Sequence, residues 1–294
     1  MRLFILRGAS GRPQNLLLAL ALATAGFLLA GTAQAQSIAG TSHDLTTATE
    51  GQQAGNILGA GTGEICAYCH TPHGGDTSAP APLWNRSLAS VNIQQRYSDL
   101  NTTTLRGEEA PVGSVSLACL SCHDGVQAMD TVINAPGRGN STNTGTAVMT
   151  GADNSLAVIG TDLRDDHPVS IQYCGGGIDS TTGLTASTLC AHGSDYNDPQ
   201  TDTINGNQVW WLDTSTTAGD GTANLGAADD GIRQRTDIFL YSRSDFAGSA
   251  NVQPAVECGS CHDPHVDSPD TTAEVNFMRI SNEASSVCLT CHNK

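Results

Sequence analysis

The sequence predicts a mostly irregular, loop-rich fold with short helices and a few short strands. Aromatic residues make up only 4% of the 294 residues. Glycine, serine, threonine, asparagine and aspartate dominate, and no long stretch keeps apolar residues at the helical period. A composition of this kind is typical of disordered chains, which bury too little apolar surface to fold. An interior for this chain must therefore come from something other than its own side chains.

The N-terminal segment, residues 1–35, is predicted to be a cleaved secretory signal. Arg2, Arg7 and Arg12 form a positive leader, an apolar run extends from Leu16 to Ala30, and the small-residue site AQA closes the segment. The alternative is an uncleaved membrane anchor, but this run is shorter than the roughly 20 apolar residues of a membrane-spanning helix. We therefore expect the mature chain to be exported and soluble, with no membrane insertion.

The charge balance excludes two classes of partner. The formal net charge is −16, and loss of the three leader arginines makes it more negative. A strongly acidic surface repels nucleic-acid phosphates and anionic lipids. We therefore expect no nucleic-acid partner, and we expect cationic or basic partners to be favoured.

Eight of the ten cysteines fall into four copies of one pattern, with two residues between the cysteines and a histidine directly after them. The copies are CAYCH at 66–70, CLSCH at 119–123, CGSCH at 258–262 and CLTCH at 288–292. This is the attachment motif of c-type haem. Cysteines three apart on one helical turn point the same way, so both thiols reach the two vinyl groups of one porphyrin. The histidine that follows then binds the iron.

Zinc binding and simple disulfides are the competing interpretations of CxxC pairs. Neither accounts for the histidines, which are only 9 of 294 residues yet follow all four pairs. We therefore predict four covalently bound haem c groups. The attachment residues are Cys66, Cys69, Cys119, Cys122, Cys258, Cys261, Cys288 and Cys291, and the proximal iron ligands are His70, His123, His262 and His292. Four buried macrocycles would supply the missing apolar interior, so the chain is not expected to fold without haem.

Five further histidines are available for the opposite faces of the four irons. They are His43, His73, His167, His192 and His265. The count permits histidine on both faces of every iron, with His192 as the spare. Methionine is the usual rival ligand, but Met129, Met149 and Met278 lie in no recognisable ligand motif.

Two of these histidines follow a proximal histidine by only three residues, in CHTPH and CHDPH. The porphyrin separates the two faces of its iron, and three residues cannot carry the chain around its edge. His73 and His265 are therefore predicted to serve haems other than those of His70 and His262. We expect His265 at the haem of Cys288 and Cys291, and His73 at the haem of Cys119 and Cys122. The alternative is that each Pro-His pair is a surface turn.

His43 and His167 are left for the two other haems, those attached at Cys66 and at Cys258. Replacing His73 is expected to change the spectrum of a haem other than its own.

The motifs divide the mature chain into two haem-pair regions, 36–123 and 258–294, and a loop-rich insert, 124–257. The insert contains three strand-like runs, VSIQY, QVWWL and DIFLY, and the isolated histidine of DDHPVS. Its two cysteines, Cys174 and Cys190, are predicted to form a disulfide, the alternative being a free or intermolecular thiol. The acidic segment 218–231 lacks the ligand spacing of an EF-hand and is interpreted as a solvated turn, with calcium binding as the alternative.

Several segments resemble the doubled-CxxCH multihaem cytochromes. They are GTSHDL, GEICAYCHTPH with PLWN, CLSCHDG, DHPVS, and CGSCHDPH with CLTCH. Within that family the chain is most similar to tetrahaem outer-surface cytochromes that polymerise into filaments, or cytochrome nanowires. The resemblance implies a multihaem cytochrome fold wrapped around a continuous stack of four haems with two histidines on each iron. It also implies that a histidine of one subunit, here His43 on an N-terminal arm, can ligate a haem of the next. The sequence alone does not separate this from ligation within the chain.

Electron transfer is the function that these features favour. An iron with both axial positions filled has no open site for a substrate. We therefore expect a non-enzymatic electron carrier that exchanges electrons with redox partner proteins. Its expected location is an extracellular or cell-surface filament. The alternatives are a monomeric periplasmic shuttle and, with less support, a multihaem reductase with an open haem.

Overall fold

The computed structural model describes residues 38–46, 57–58, 62–137, 145–149, 157–177, 195–214, 233–248, 251–266 and 277–293. By its contacts the chain divides into Met1–Gln36 and Ser37–Lys294, and every described residue belongs to the second unit. The predicted signal segment, Cys190, His192 and the acidic segment 218–231 lie outside the described residues. Among the helices of the described part, none has the length and apolar character needed to cross a membrane.

A five-stranded antiparallel sheet is the largest regular element. Its strands are β1 (Ile171–Gln172), β2 (Gln200–Ile204), β3 (Asn207–Leu212), β4 (Ile238–Arg243) and β5 (Gln253–Val256), in the order β1-β5-β4-β3-β2. Asn205 and Gly206 join β2 to β3, and both have positive φ, as a two-residue hairpin turn requires. The runs VSIQY, QVWWL and DIFLY overlap β1, β3 and β4, which confirms them as strands.

The sheet supports an apolar core built from side chains. The buried members are Tyr173, Cys174, Trp210, Leu212, Ile238, Leu240, Met278, Ile280 and Val287. Ile238 and Leu240 alternate with less buried neighbours along β4, as the strand period of two requires. Trp210 is a large member of this core, and the adjacent Trp211 is also buried although it does not belong to the cluster.

Three short α-helices contain three of the four CxxCH cysteine pairs. Helix α1 is Ser114–His123, α2 is Cys258–Cys261 and α3 is Ser286–Cys291. The first motif forms a hydrogen-bonded turn instead, in which the His70 N–H donates to Cys66 O at 2.8 Å. Single 3-10 helical turns lie at Tyr97–Leu100, Tyr173–Gly175 and Glu283–Ser285. The regular elements are therefore short, and irregular chain connects them.

Asp237, directly before β4, is expected to make stability depend on pH. Its carboxylate accepts hydrogen bonds from the backbone N–H groups of Thr214 and Gln234. Burial nevertheless raises its pKa from 3.8 to about 6. The folded state therefore binds this proton more tightly than the unfolded chain, so its contribution to stability falls as pH rises between these values and is constant above them.

The variant Asp237→Asn should lack this dependence, which amounts to about 2–3 kcal/mol for a pKa shift of about two units. Urea unfolding of wild type and variant, at about pH 3.5 and about pH 7, measures the difference between their pH profiles. Parallel profiles would contradict the expectation.

Candidate haem-attachment sites

Each of the four motifs places its two cysteines on a single helical turn. In the first, third and fourth motifs the histidine N–H donates to the carbonyl of the first cysteine, at 2.8, 3.1 and 2.8 Å. The second motif lies within helix α1. All eight of these thiols are free. This is the local geometry that bonding of two thiols to one porphyrin requires.

The three motifs at 66–70, 258–262 and 288–292 share a backbone arrangement that we call the histidine bridge. The histidine pairs with one residue of another segment, and two hydrogen bonds flank the pair. The opposite residues are Trp84, Met278 and Tyr196. At the first motif, Thr71 N donates to Leu83 O and Asn85 N to Cys69 O, both at 2.8 Å. At the third motif, Asp263 N donates to Phe277 O at 2.8 Å and Arg279 N to Cys261 O at 2.9 Å. At the fourth motif, Asn293 N donates to Asp195 O and Asn197 N to Cys291 O, both at 3.0 Å.

One side chain reinforces each histidine bridge from the position after the opposite residue. Asn85 Nδ2 donates to Ala67 O at 2.6 Å, Arg279 Nε to Gly259 O at 3.0 Å, and Asn197 Nδ2 to both Leu289 O and Thr290 O at 2.9 Å. These carbonyls belong to the residues between the paired cysteines. A single helical turn leaves them without intrahelical partners. The bridge therefore holds both the histidine and the turn that carries the thiols.

Replacing Asn85 with alanine is expected to destabilise the first motif. Asn85 is 1% exposed, and its Nδ2 also donates to Asn134 O at 2.8 Å. Loss of these bonds leaves two carbonyls unsatisfied, at a cost of about 3 kcal/mol. The exposed Asn207, whose Nδ2 donates to Asn205 O at 3.4 Å, provides a matched control.

Denaturant unfolding of Asn85→Ala and Asn207→Ala measures this difference, and the control should change stability by less than about 0.5 kcal/mol. Equal effects of the two substitutions would show that the Asn85 contacts are energetically unimportant.

Two pairs of histidine rings are separated by the distance expected for two imidazoles that bind one iron from opposite sides. We call them the facing histidine pairs. The ring centroids of His70 and His265 are 6.1 Å apart with ring planes 19° from parallel, and those of His43 and His123 are 6.2 Å apart with ring planes at 78°. Two imidazoles on opposite sides of one metal ion, each bonded at about 2 Å, have centroids about 6 Å apart. Each pair contains one CxxCH histidine and one histidine from the set expected on the opposite face.

All four of these rings direct Nδ1 toward an oxygen atom. Nδ1 lies 2.7 Å from Pro82 O in His70, 2.6 Å from Ala157 O in His123, 3.4 Å from Pro264 O in His43 and 3.3 Å from Asp263 Oδ1 in His265. A histidine ligand commonly donates its second ring nitrogen to a carbonyl or carboxylate, which orients the ring. The arrangement leaves Nε2 as the nitrogen for the metal.

The His43 side chain packs against residues of its own chain. Its ring stacks on Phe277 with centroids 4.0 Å apart. Burial lowers its pKa to about 4, and the nearby His123, His265 and His262 contribute to the decrease. His43 is therefore close to CxxCH histidines of both the second and the third motif. This placement is compatible with ligation within the chain, and ligation of a neighbouring subunit's haem stays a prediction.

His265 lies opposite a histidine of a different motif from the one that the sequence-based expectation named, and its iron stays a prediction. That expectation placed His265 at the haem of Cys288 and Cys291 because this motif is nearest in the chain. In the structure the His265 ring faces His70, at the other end of the sequence. The prediction that His265 serves a haem other than that of His262 is compatible with this geometry.

The other predicted distal ligands, His73 and His167, are both exposed. Asn134 Nδ2 donates to His73 O, and His167 Nδ1 lies 3.1 Å from Pro168 O. Cys174 is disulfide-bonded and buried. Its predicted partner Cys190 lies outside the described residues, so the pairing with Cys190 stays a prediction.

Consecutive motifs lie close to one another. Burial raises the pKa of the Cys69 thiol to about 12, and the nearby Cys122 thiol adds to the increase. A hydrogen bond between the thiols of Cys119 and Cys258 is the largest cause that raises the pKa of Cys119. Helices α1 and α2, which contain these two cysteines, are in contact.

The third and fourth motifs are linked in the same way. Burial raises the pKa of Cys291, and the nearby Cys261 thiol adds to the increase. Each motif therefore has a thiol close to a thiol of the next motif along the chain.

Within the described part of the chain, two buried polar atoms beside the first motif have no hydrogen-bond partner. They are the Tyr68 hydroxyl, inside CAYCH, and Trp84 Nε1, opposite His70. Buried polar groups are normally satisfied, so an unpaired hydroxyl and indole N–H indicate a missing polar partner. Haem carries two carboxylates that accept hydrogen bonds from donors of this kind. Its vinyl groups and iron in turn fit the thiols and imidazoles of the motif.

Comparisons with known proteins assign neither a family nor a function to the chain. No protein-family model, curated protein or solved structure matches the chain. Among the described residues, no group of three or more histidine, cysteine, aspartate and glutamate side chains is arranged to hold a metal ion. Haem iron takes at most two ligands from the protein, so facing pairs of histidines are the relevant geometry.

Proposed function

We propose that this chain is a tetrahaem c-type cytochrome that carries electrons along a row of closely spaced haems. The observation that carries the proposal is the combination of four CxxCH motifs with two facing histidine pairs at 6.1 and 6.2 Å. The contacts between consecutive motifs support haems spaced closely enough for electron transfer. When bound, the haems supply the redox chemistry, and the chain orients them and excludes water.

The facing rings support specific axial ligands for two of the irons. His70 and His265 are proposed to ligate the first iron, and His123 and His43 the second. His73 and His167 are then proposed for the irons of His262 and His292. Both are exposed in the chain, so either could reach a haem of a neighbouring subunit as well as one of its own.

Assembly into an extracellular filament for electron export is the form of this proposal that the resemblance favours. In such a filament a histidine from one subunit completes a haem of the next, and the exposed His73 and His167 are the residues available for that role. Export and the identity of the redox partners rest on the sequence alone.

Intact mass, absorption and electron microscopy of the purified exported protein together test this function. We expect four covalent haems per chain, low-spin spectra without carbon monoxide uptake, and filaments in micrographs. Fewer than four haems would overturn the tetrahaem assignment. Carbon monoxide uptake would indicate an open iron and favour a reductase, and uniform small particles would favour a monomeric shuttle.

A further inference from the structure

Arg86 carries a buried positive charge between the first two motifs. It is 2% exposed. Nε donates to Ser121 Oγ at 3.2 Å, Nη1 to Met129 O at 2.5 Å, and Nη2 to Ser121 O at 2.5 Å and Ala128 O at 2.9 Å. Four of its five N–H donors therefore reach neutral oxygens. These contacts join the segment after the first histidine bridge to helix α1 and the loop that follows it.

Arg86 differs from the two other buried arginines because it has no carboxylate partner in the described part of the chain. Arg243 pairs with Glu257 at 2.9 Å and with Asp245 at 2.6 Å, and Arg279 lies 3.7 Å from Asp263. The described ion pairs do not include Arg86. Backbone dipoles and one hydroxyl solvate the guanidinium, but none of them cancels its charge.

The charge lies near attachment cysteines of two different motifs. Arg86 Nε and Nη2 donate to the hydroxyl and the carbonyl of Ser121, the residue directly before Cys122. The backbone N–H of Asn85, the residue directly before Arg86, donates to Cys69 O at 2.8 Å. The guanidinium therefore lies beside the attachment points of the first and second haems.

We propose that Arg86 is a positioning residue that raises the reduction potentials of the first and second haems relative to the third and fourth. This inference rests on the proposed function. Reduction adds one electron to a haem, so a fixed positive charge nearby stabilises the reduced form. Burial leaves that charge poorly screened by solvent and salt. The pair at the N-terminal end of the row would then hold electrons more strongly than the other pair.

The test compares the holoprotein with Arg86→Gln and Arg86→Lys. Spectroelectrochemical titration gives the four potentials, and low-spin spectra verify that ligation is intact. In Arg86→Gln we expect about a tenfold fall in the reduction constants of two haems, which is about 59 mV for a one-electron step. The other two potentials should stay constant. Arg86→Lys keeps the charge and should restore the two potentials to within about twofold.

Arg164→Gln provides the matched control, because it removes one arginine charge from a half-exposed site where Arg164 pairs with Asp162. It should leave all four potentials unchanged. Unchanged potentials in Arg86→Gln would overturn the proposal. Equal shifts in Arg86→Gln and Arg86→Lys would also overturn it, because they would show that Arg86 acts only as a structural cross-link.

If Arg86→Gln does not fold, Arg86→Met serves as the neutral variant, because a fall in two potentials would support the proposal and four unchanged potentials would overturn it. A wild-type chain with fewer than four haems by mass would instead overturn the proposed function. Failure of the proposed function can therefore be told apart from failure of the Arg86 proposal.

Discussion

Replacing His265 with alanine is expected to convert one of the four haems from low spin to high spin and to create one carbon monoxide site per chain. His265 faces His70 with centroids 6.1 Å apart, and its Nδ1 lies 3.3 Å from Asp263 Oδ1. Without the imidazole, one iron keeps a single protein ligand, and its open face can bind a small gas. The haem content by mass should remain four, because no thiol is changed.

A double variant identifies the iron that His265 serves. If His70 and His265 ligate the same iron, His70→Ala with His265→Ala opens one haem, and carbon monoxide uptake stays at one per chain. If they ligate different irons, uptake rises to two. The same comparison with His292→Ala in place of His70→Ala tests the pairing expected from the sequence. An uptake of two for His70→Ala with His265→Ala would refute the facing-ring assignment.

Replacing Glu257 with alanine is expected to cost about 3–5 kcal/mol of stability, as for other broken buried ion pairs. Glu257 has a fully buried side chain, and its Oε1 lies 2.9 Å from Nη1 of Arg243, which is itself buried. Oε2 accepts hydrogen bonds from Ser116 Oγ at 2.5 Å and Ser170 Oγ at 3.1 Å. Ser116 Oγ also accepts the Cys258 N–H at 3.0 Å. The carboxylate thus links helix α1 to helix α2, and so the second motif to the third.

Asp245→Asn is the matched control for this substitution. Asp245 pairs with the same guanidinium at 2.6 Å, but its side chain is 52% exposed. An exposed ion pair contributes at most about 1 kcal/mol, because solvent screens it. Denaturant unfolding of the two holoproteins measures both costs. Similar losses of unfolding free energy in Glu257→Ala and Asp245→Asn would mean that burial of the carboxylate does not determine how much its ion pair stabilises the protein.

The strands were predictable only in part. The runs VSIQY, QVWWL and DIFLY, rich in β-branched and aromatic residues, identified β1, β3 and β4. The runs for β2 and β5 were not identified: Gln200–Ile204 is mostly polar, and Gln253–Val256 is a short segment that contains a proline. Their strand structure depends on pairing with β3 and β4, which provide the hydrogen-bond partners. Pairing between segments far apart in the chain is invisible to a local pattern.

The residues that brace the motifs were also absent from the sequence-based prediction. Asn197 and Arg279 follow residues that pair with a CxxCH histidine, but neither lies in a recognisable motif. Arg86 follows the quoted segment PLWN directly, and nothing in its neighbours indicates that it is buried beside helix α1. Polar side chains of this kind acquire their role from the carbonyl groups that the fold places around them.

The proposed haem attachment follows from the amino-acid order, because two thiols and an imidazole within five residues share one helical turn whatever surrounds them. The partner on the opposite face of an iron is a different matter. It must approach from beyond the macrocycle, on a segment that the local chain cannot supply. His265 faces His70 and His43 faces His123 because the packing of distant segments brings them there. Nearness in sequence therefore carries little information about that choice.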